Sequence, residues 1–123
     1  MKSIWRIIDA NLNRSREGFR VCEDVTRFVM NERKVTAALK KCRHELNQVF
    51  LSIDNRHLAL SARESMRDIG KRGMIQDQRK ANLTSLLCAN FKRVEESLRV
   101  LEECFKIEAP KFVGQFQALR FKV

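Results

Sequence analysis

Between Ile4 and Val29 the apolar residues Ile4, Ile8, Leu12, Phe19, Cys22, Val25 and Val29 recur at helical spacing, with Ser3 placed to cap the start and the polar stretch NERK to end it. This spacing predicts one long helix. A second is predicted from Lys34 to Ala62, because Val35, Leu39, Cys42, Leu46, Val49, Phe50, Ile53, His57 and Leu60 form a nearly heptad-spaced stripe. The short connection between them predicts an antiparallel hairpin. The segment SARESMRDIGKRGMIQDQ keeps no sustained period and contains Gly70 and Gly73, so it reads as the main loop, and loops of that length usually serve a purpose. A third long helix is predicted from Asp77 or Gln78 to Glu108, where Pro110 strips a donor and disfavours helix in the residue before it. Phe112, Phe116, Leu119 and Val123 restart the period in a short final helix without a stop signal, as expected if a longer parent chain continues it. The predicted fold is all-α: three long helices and a short C-terminal one, in a single domain over residues 1–123.

Composition agrees with that reading. A chain of 123 residues fits one domain and can bury a core without staples. With 44% hydrophobic and 33% charged residues, four Gly and one Pro, it is neither disordered nor turn-rich in the manner of β folds. Cys22, Cys42, Cys88 and Cys104 lack C-x-x-C spacing, and each falls where a helix would bury a small apolar residue. They read as reduced core thiols rather than metal ligands. The N-terminus is charged by Arg6 and has no apolar core of signal-peptide length, and no 18-residue apolar run occurs anywhere. A cytosolic protein with no membrane partner is expected.

Twenty-five Lys and Arg against fifteen Asp and Glu give a net charge of +10, which implies an anionic partner: nucleic acid, acidic lipid or a phosphorylated small molecule. The longest cationic cluster, RDIGKRG, is short and has no interleaved aromatic residues on which bases would stack. Nucleic acid is therefore the weaker reading.

Near each end the chain writes one phrase twice. DANLNRSREGFRVCED begins at Asp9 and CANFKRVEESLRVLEE at Cys88, and the pairs Ala10/Ala89, Asn11/Asn90, Arg14/Arg93, Glu17/Glu96, Arg20/Arg99, Val21/Val100 and Glu23/Glu102 match position for position. At roughly 100° per residue, Asn11, Arg14 and Gly18 fall within the apolar arc of the first helix, and Asn90, Arg93 and Ser97 within that of the third. An internal pseudo-twofold repeat of helices is expected, with Asn11, Arg14, Asn90 and Arg93 converging on one cleft. A buried guanidinium needs partners. Glu17 and Glu96, three residues on, could supply them along each helix, making a polar clasp that fixes helix register. Alternatively the arginine forks and asparagine amides line a cleft and hold phosphate or a heteroaromatic ring, with Gly18 and Ser97 leaving room. Arg20, Glu23, Arg99 and Glu102 point away from the arc and read as surface pairing. His57 lies on the apolar stripe and reads as a core histidine, whereas His44 faces away from it. In the loop, Arg63, Arg67, Asp68, Gly70, Lys71, Arg72 and Gly73 combine close backbone approach with phosphate-balancing cations. No P-loop sequence precedes a helix, so any nucleotide would be held otherwise.

RIIDANLNRSREGFRVCEDVTRFV, RHEL, RESMRDIG, ANFKRVEESLRVLEE and FQALRF together resemble the helical domain often fused to the N-terminus of thiamin-phosphate synthase, an alternative hydroxymethylpyrimidine-phosphate kinase family. The resemblance spans nearly the whole chain. It implies transfer of the ATP γ-phosphoryl group to hydroxymethylpyrimidine monophosphate, with Mg2+. In that chemistry Arg14, Arg93 and Asp68 are the candidate catalytic residues, and Asn11, Asn90, Glu17, Glu96, Arg43, His44, Arg63 and Gly70 the candidate substrate-binding ones. Phosphoryl transfer needs charge neutralisation and in-line positioning rather than a covalent nucleophile. Arg14 and Arg93 would grip phosphate, Asn11 and Asn90 would orient the pyrimidine or a phosphate, and Asp9, Glu17, Asp68 or Glu96 would hold Mg2+. The implied partners are the phosphorylated pyrimidine and thiamin-phosphate synthase, and assembly as a monomer or a homodimer stays open. The competing reading is a non-catalytic module that binds phosphorylated thiamin precursors and docks onto the synthase.

Overall fold

Helix α1 runs Lys2–Asp24 and passes directly into a π-helical turn, Val25–Val29, so the first predicted helix is continuous to its expected end. The chain reverses at Asn31, whose φ of 55° lies in the left-handed region that asparagine tolerates better than most residues. Helix α2 spans Arg33–Leu51, α3 Leu83–Glu108, and a 3-10 turn, Pro110–Phe112, leads into α4, Val113–Lys122. These elements belong to a computed structural model that describes residues 2–53 and 82–123. Among the described residues there is no strand, and the fold is all-α as the hydrophobic pattern predicts.

Several boundaries differ from the sequence expectation. Ser3 lies inside the first turn rather than capping it, since Lys2 is already helical. Helix α2 stops at Leu51, short of Ala62: the Ser52 hydroxyl donates to the Val49 carbonyl at 2.7 Å, and Ile53 has left the helix. Helix α3 starts at Leu83 because the Asn82 side chain, on extended backbone, accepts the Ser85 amide at 2.8 Å, an N-cap that the apolar pattern does not register. The expected helical residues His57 and Leu60, and the predicted loop with Arg63, Asp68 and Gly70, lie outside the described residues.

Contacts between helices run in opposing directions. Arg16 meets Asn47, Glu23 meets Arg43 and Thr26 meets Thr36, so α1 and α2 form the predicted antiparallel hairpin. On α3 and α4, Phe105 stacks on Phe116 with centroids 4.9 Å apart, while Glu102, one turn earlier, takes Arg120, one turn later. Trp5 packs edge-on against Phe105 and Ser15 meets Ser97, which sets α1 antiparallel to α3. The core gathers Ile8, Leu12 and Phe19 of α1, Leu46 of α2, Leu98, Leu101 and Phe105 of α3 and Phe116 of α4, all fully buried. Each large apolar side chain so buried contributes about 1.5–3 kcal/mol. Cys22, Cys42 and Cys104 are buried as expected, but Cys88 is exposed: it opens the second phrase on the solvent side of α3. Val29 and Val35 are exposed too, because the reversal at Asn31 carries them beyond the core. Among the described residues no helix is long and apolar enough to cross a membrane.

Candidate functional site

The seam between α1 and α3 is where the two copies of the phrase meet. Gly18 is buried there with no side chain to spare: a Cβ on it would stand 2.7 Å from Val94 Cγ2 and 3.2 Å from the Asn90 carbonyl oxygen. Glycine is thus required by close approach of the helices. One turn away the Ser15 and Ser97 hydroxyls lie 2.7 Å apart, and they also bond to the Asn11 and Val94 carbonyls, so a polar pair sits fully buried without an unsatisfied group. Ser15 and Val94 hold matching places in the phrase, as do Gly18 and Ser97.

Above this tight crossing the longer side chains spread and leave an open cleft of about 520 Å3. Asn11 and Arg14 line it from α1, and Ala89, Lys92, Arg93, Glu96, Ser97 and Val100 from α3. Arg14 and Arg93 therefore face one space, but as exposed groups rather than the buried ones the helical wheel predicted. Their long stems start at the edge of the apolar arc and carry the charge outward. The clasps foreseen with Glu17 and Glu96 are not formed: among the described residues no ion pair joins Arg14 to Glu17 or Arg93 to Glu96. Arg14 instead directs Nη1 at Asn11 Oδ1, 3.4 Å away. Three cations, Arg14, Lys92 and Arg93, so surround one carboxylate, Glu96, a charge balance that favours an anion in the cleft.

The two asparagines are set identically. Asn11 Nδ2 donates to the Ile7 carbonyl and Asn90 Nδ2 to the Leu86 carbonyl, each at 2.9 Å. Each amide spends one of its two N–H bonds on the helix carbonyl, and Asn11 Oδ1 also faces Arg14 Nη1. Asn11 lines the cleft; Asn90 is buried one residue from Ala89, at the far end of the lining, and is not part of the lining.

Other predicted site residues stand elsewhere. Arg43 is committed to Glu23, donating from Nε at 2.7 Å and Nη2 at 3.2 Å. His44 is exposed on α2 and Glu17 on α1, and neither lines the cleft. Asp9, a candidate Mg2+ ligand, is buried on α1 away from the lining. Glu23 and Glu102, read from the sequence as surface dressing, are buried: Glu102 accepts Nε and Nη2 of Arg120, with Arg99 also close. The wheel misplaced them because their partners come from a neighbouring helix. Lys92 was missed, since its match in the first phrase is Asn13. The spacing of Ala89, Lys92/Arg93, Glu96 and Val100 along one face of α3 carries the signal that would have found it.

A sequence profile of the ThiD2 family matches residues 6–123. The chain is 37% identical over 121 residues to the thiamine-phosphate synthase of Nostoc punctiforme, covering 98% of this chain and 33% of that protein. It is 38% identical over 122 residues to the thiamine-phosphate synthase of a Synechocystis species, covering 98% and 34%, and 33% identical over 122 residues to that of Rhodopirellula baltica, covering 98% and 32%. The chain thus spans about a third of the length of the curated relatives it matches. No solved structure matches it.

Proposed function

The chain belongs to the ThiD2 family, and from that premise we propose that it transfers the γ-phosphoryl group of ATP to hydroxymethylpyrimidine monophosphate, as one activity of thiamine biosynthesis. The observation that carries this reading is the convergence of Arg14, Lys92 and Arg93 on a single open cleft beside the pinned Asn11 amide. Three cations lining one cleft beside a single carboxylate, Glu96, attract an anion, and planar arginine forks suit phosphate oxygens.

In the proposed step an oxygen of the pyrimidine's phosphate forms a bond to the γ-phosphorus. The bond from that phosphorus to the β–γ bridging oxygen breaks, and ADP leaves with the electron pair. Arg14 and Arg93 hold the phosphoryl oxygens in line and offset the charge that gathers on them, and Lys92 adds a third, more mobile cation. Among the described residues no three Asp, Glu, His or Cys side chains cluster as a closed metal site. Mg2+ is commonly held by one or two carboxylates together with the substrate's phosphates. Glu96 is the cleft residue to hold it, and Mg2+ would supply further neutralisation of phosphate charge.

Purified protein supplied with ATP, Mg2+ and the pyrimidine monophosphate should form the diphosphate and ADP in equal amounts. A folded sample that gives no product above background defeats the proposal, and binding of the pyrimidine phosphate without turnover would point instead to a non-catalytic module that serves the synthase.

A further inference from the structure

Asn11 and Asn90 hold matching places in the two phrases and share one anchor, a 2.9 Å bond from Nδ2 to the carbonyl four residues back. Beyond that anchor their surroundings differ. Asn11 Oδ1 faces Nη1 of Arg14 at 3.4 Å, one turn on along the cleft side of α1. Among the described residues no hydrogen bond or ion pair joins Arg93 to Asn90, the matching pair on α3. The backbone of Asn11 is braced as well: its carbonyl accepts the Ser15 hydroxyl at 2.9 Å, and Ser15 meets Ser97 across the seam at 2.7 Å. The counterpart of Ser15 is Val94, which has no hydroxyl to offer Asn90. Asn11 is thus fixed by side chain and by backbone, and although it lines the cleft, its 3% exposure leaves little of it for a ligand to touch. Arg14 is exposed.

We propose that Asn11 is a positioning residue: it does not bind substrate but steers the Arg14 guanidinium over the cleft, so that Arg14 is a preset grip for phosphate while Arg93 is recruited when the anion arrives. This rests on the reading of Arg14 as a phosphate grip and not on turnover. A long side chain loses rotamer freedom when it closes on a ligand, and a bond that already biases its head removes part of that cost. The bond is longer than most N–H···O bonds, so it guides the guanidinium without locking it, and Arg14 can still follow the phosphate. The two arginines therefore act unequally despite their matched places in the sequence.

Two measurements on the whole chain test this. NMR relaxation at the arginine Nε sites of the ligand-free protein should show Arg14 more ordered than Arg93 on the picosecond-to-nanosecond scale. Asn11→Ala should bring Arg14 down to the level of Arg93, and Asn90→Ala should leave Arg93 unchanged. Calorimetric titration with hydroxymethylpyrimidine monophosphate then shows through which residue Asn11 acts. Asn11→Ala should weaken binding about fivefold in the parent and in Arg93→Ala, but less than about twofold in Arg14→Ala, where no guanidinium remains to be held. A merely structural loss would weaken binding equally in all three backgrounds, and thermal melts report the fold of each variant. Equal losses in the three backgrounds, no loss from Asn11→Ala, or an Arg14 no more ordered than Arg93 would overturn the proposal. A parent chain that does not bind the monophosphate overturns it too, and if Arg14→Ala binds too weakly to titrate, the relaxation data decide alone. The expected pattern in a protein that shows no turnover keeps the positioning role and removes the kinase, so the two failures are distinct.

Discussion

Arg43 closes a two-bond fork on Glu23, with Nε on one carboxylate oxygen at 2.7 Å and Nη2 on the other at 3.2 Å, and both side chains are only 12% exposed. The fork ties α2 to α1 beyond the reach of the core. Removing one partner of a buried pair leaves the other charge unanswered, which costs about 3–5 kcal/mol. Glu23→Ala should therefore lower the melting temperature by roughly 10 °C or more, whereas Asp24→Ala, one residue on and exposed, should change it little. Equal effects of the two substitutions in thermal melts would show that the fork does not hold the hairpin.

The two glycines in the described helices should respond to alanine with opposite signs. At Gly18 the new methyl group meets the buried Val94 side chain at 2.7 Å and the Asn90 backbone oxygen at 3.2 Å, and overpacking of this kind costs about 1–3 kcal/mol. At Gly114 nothing lies within 4 Å, so alanine should stabilise by about 0.5–1 kcal/mol through helix propensity alone. Denaturant melts of Gly18→Ala and Gly114→Ala check both, and a stabilised Gly18→Ala would mean that the helices are not so close.

Burial, and secondarily the charge of Glu23, push the Cys22 thiol from 9.0 up to about 11, and burial raises Cys42 and Cys104 as well. A thiol whose folded value is raised favours the folded state fully below the unfolded value, and that contribution is lost as pH climbs toward the folded one. Stability should fall between pH 9 and 11, less steeply in Cys22→Ala. At neutral pH a thiol reagent should modify Cys88 alone in the native protein and all four cysteines after unfolding. Rapid labelling of Cys22 in the native state would contradict this.

Among the described residues, the all-α class and the stop before Pro110 were legible because they follow from apolar period and proline chemistry, which act within a helix. What escaped the sequence depends on a neighbouring helix. Glu102 sits on the polar side of its own wheel, yet it is 2% exposed because Arg120 comes across from α4 to meet it. Arg14 and Arg93 lie within the arc by angle but reach solvent through their length, so angle alone could not separate a clasp from a cleft. Asn82 was overlooked as the start of α3 because a cap is one hydrogen bond, without a periodic trace. The two copies of the phrase lie on the helices that form the seam, but the pairs in contact there, Ser15–Ser97 and Gly18–Val94, are not its identical positions, so matching letters alone did not say which side chains meet.

The most direct test is the steady-state rate of pyrimidine-phosphate phosphorylation by Arg14→Lys and Arg93→Lys, measured beside the melting temperature of each. Lysine keeps the charge but not the planar fork, so kcat/KM should fall about tenfold or more, equivalent to ~1.4 kcal/mol of lost transition-state stabilisation, while the melting temperature stays within about 2 °C of the parent. Full activity in both variants, or a lowered melting temperature with the remaining folded protein fully active, would show that the arginines do not serve phosphoryl transfer.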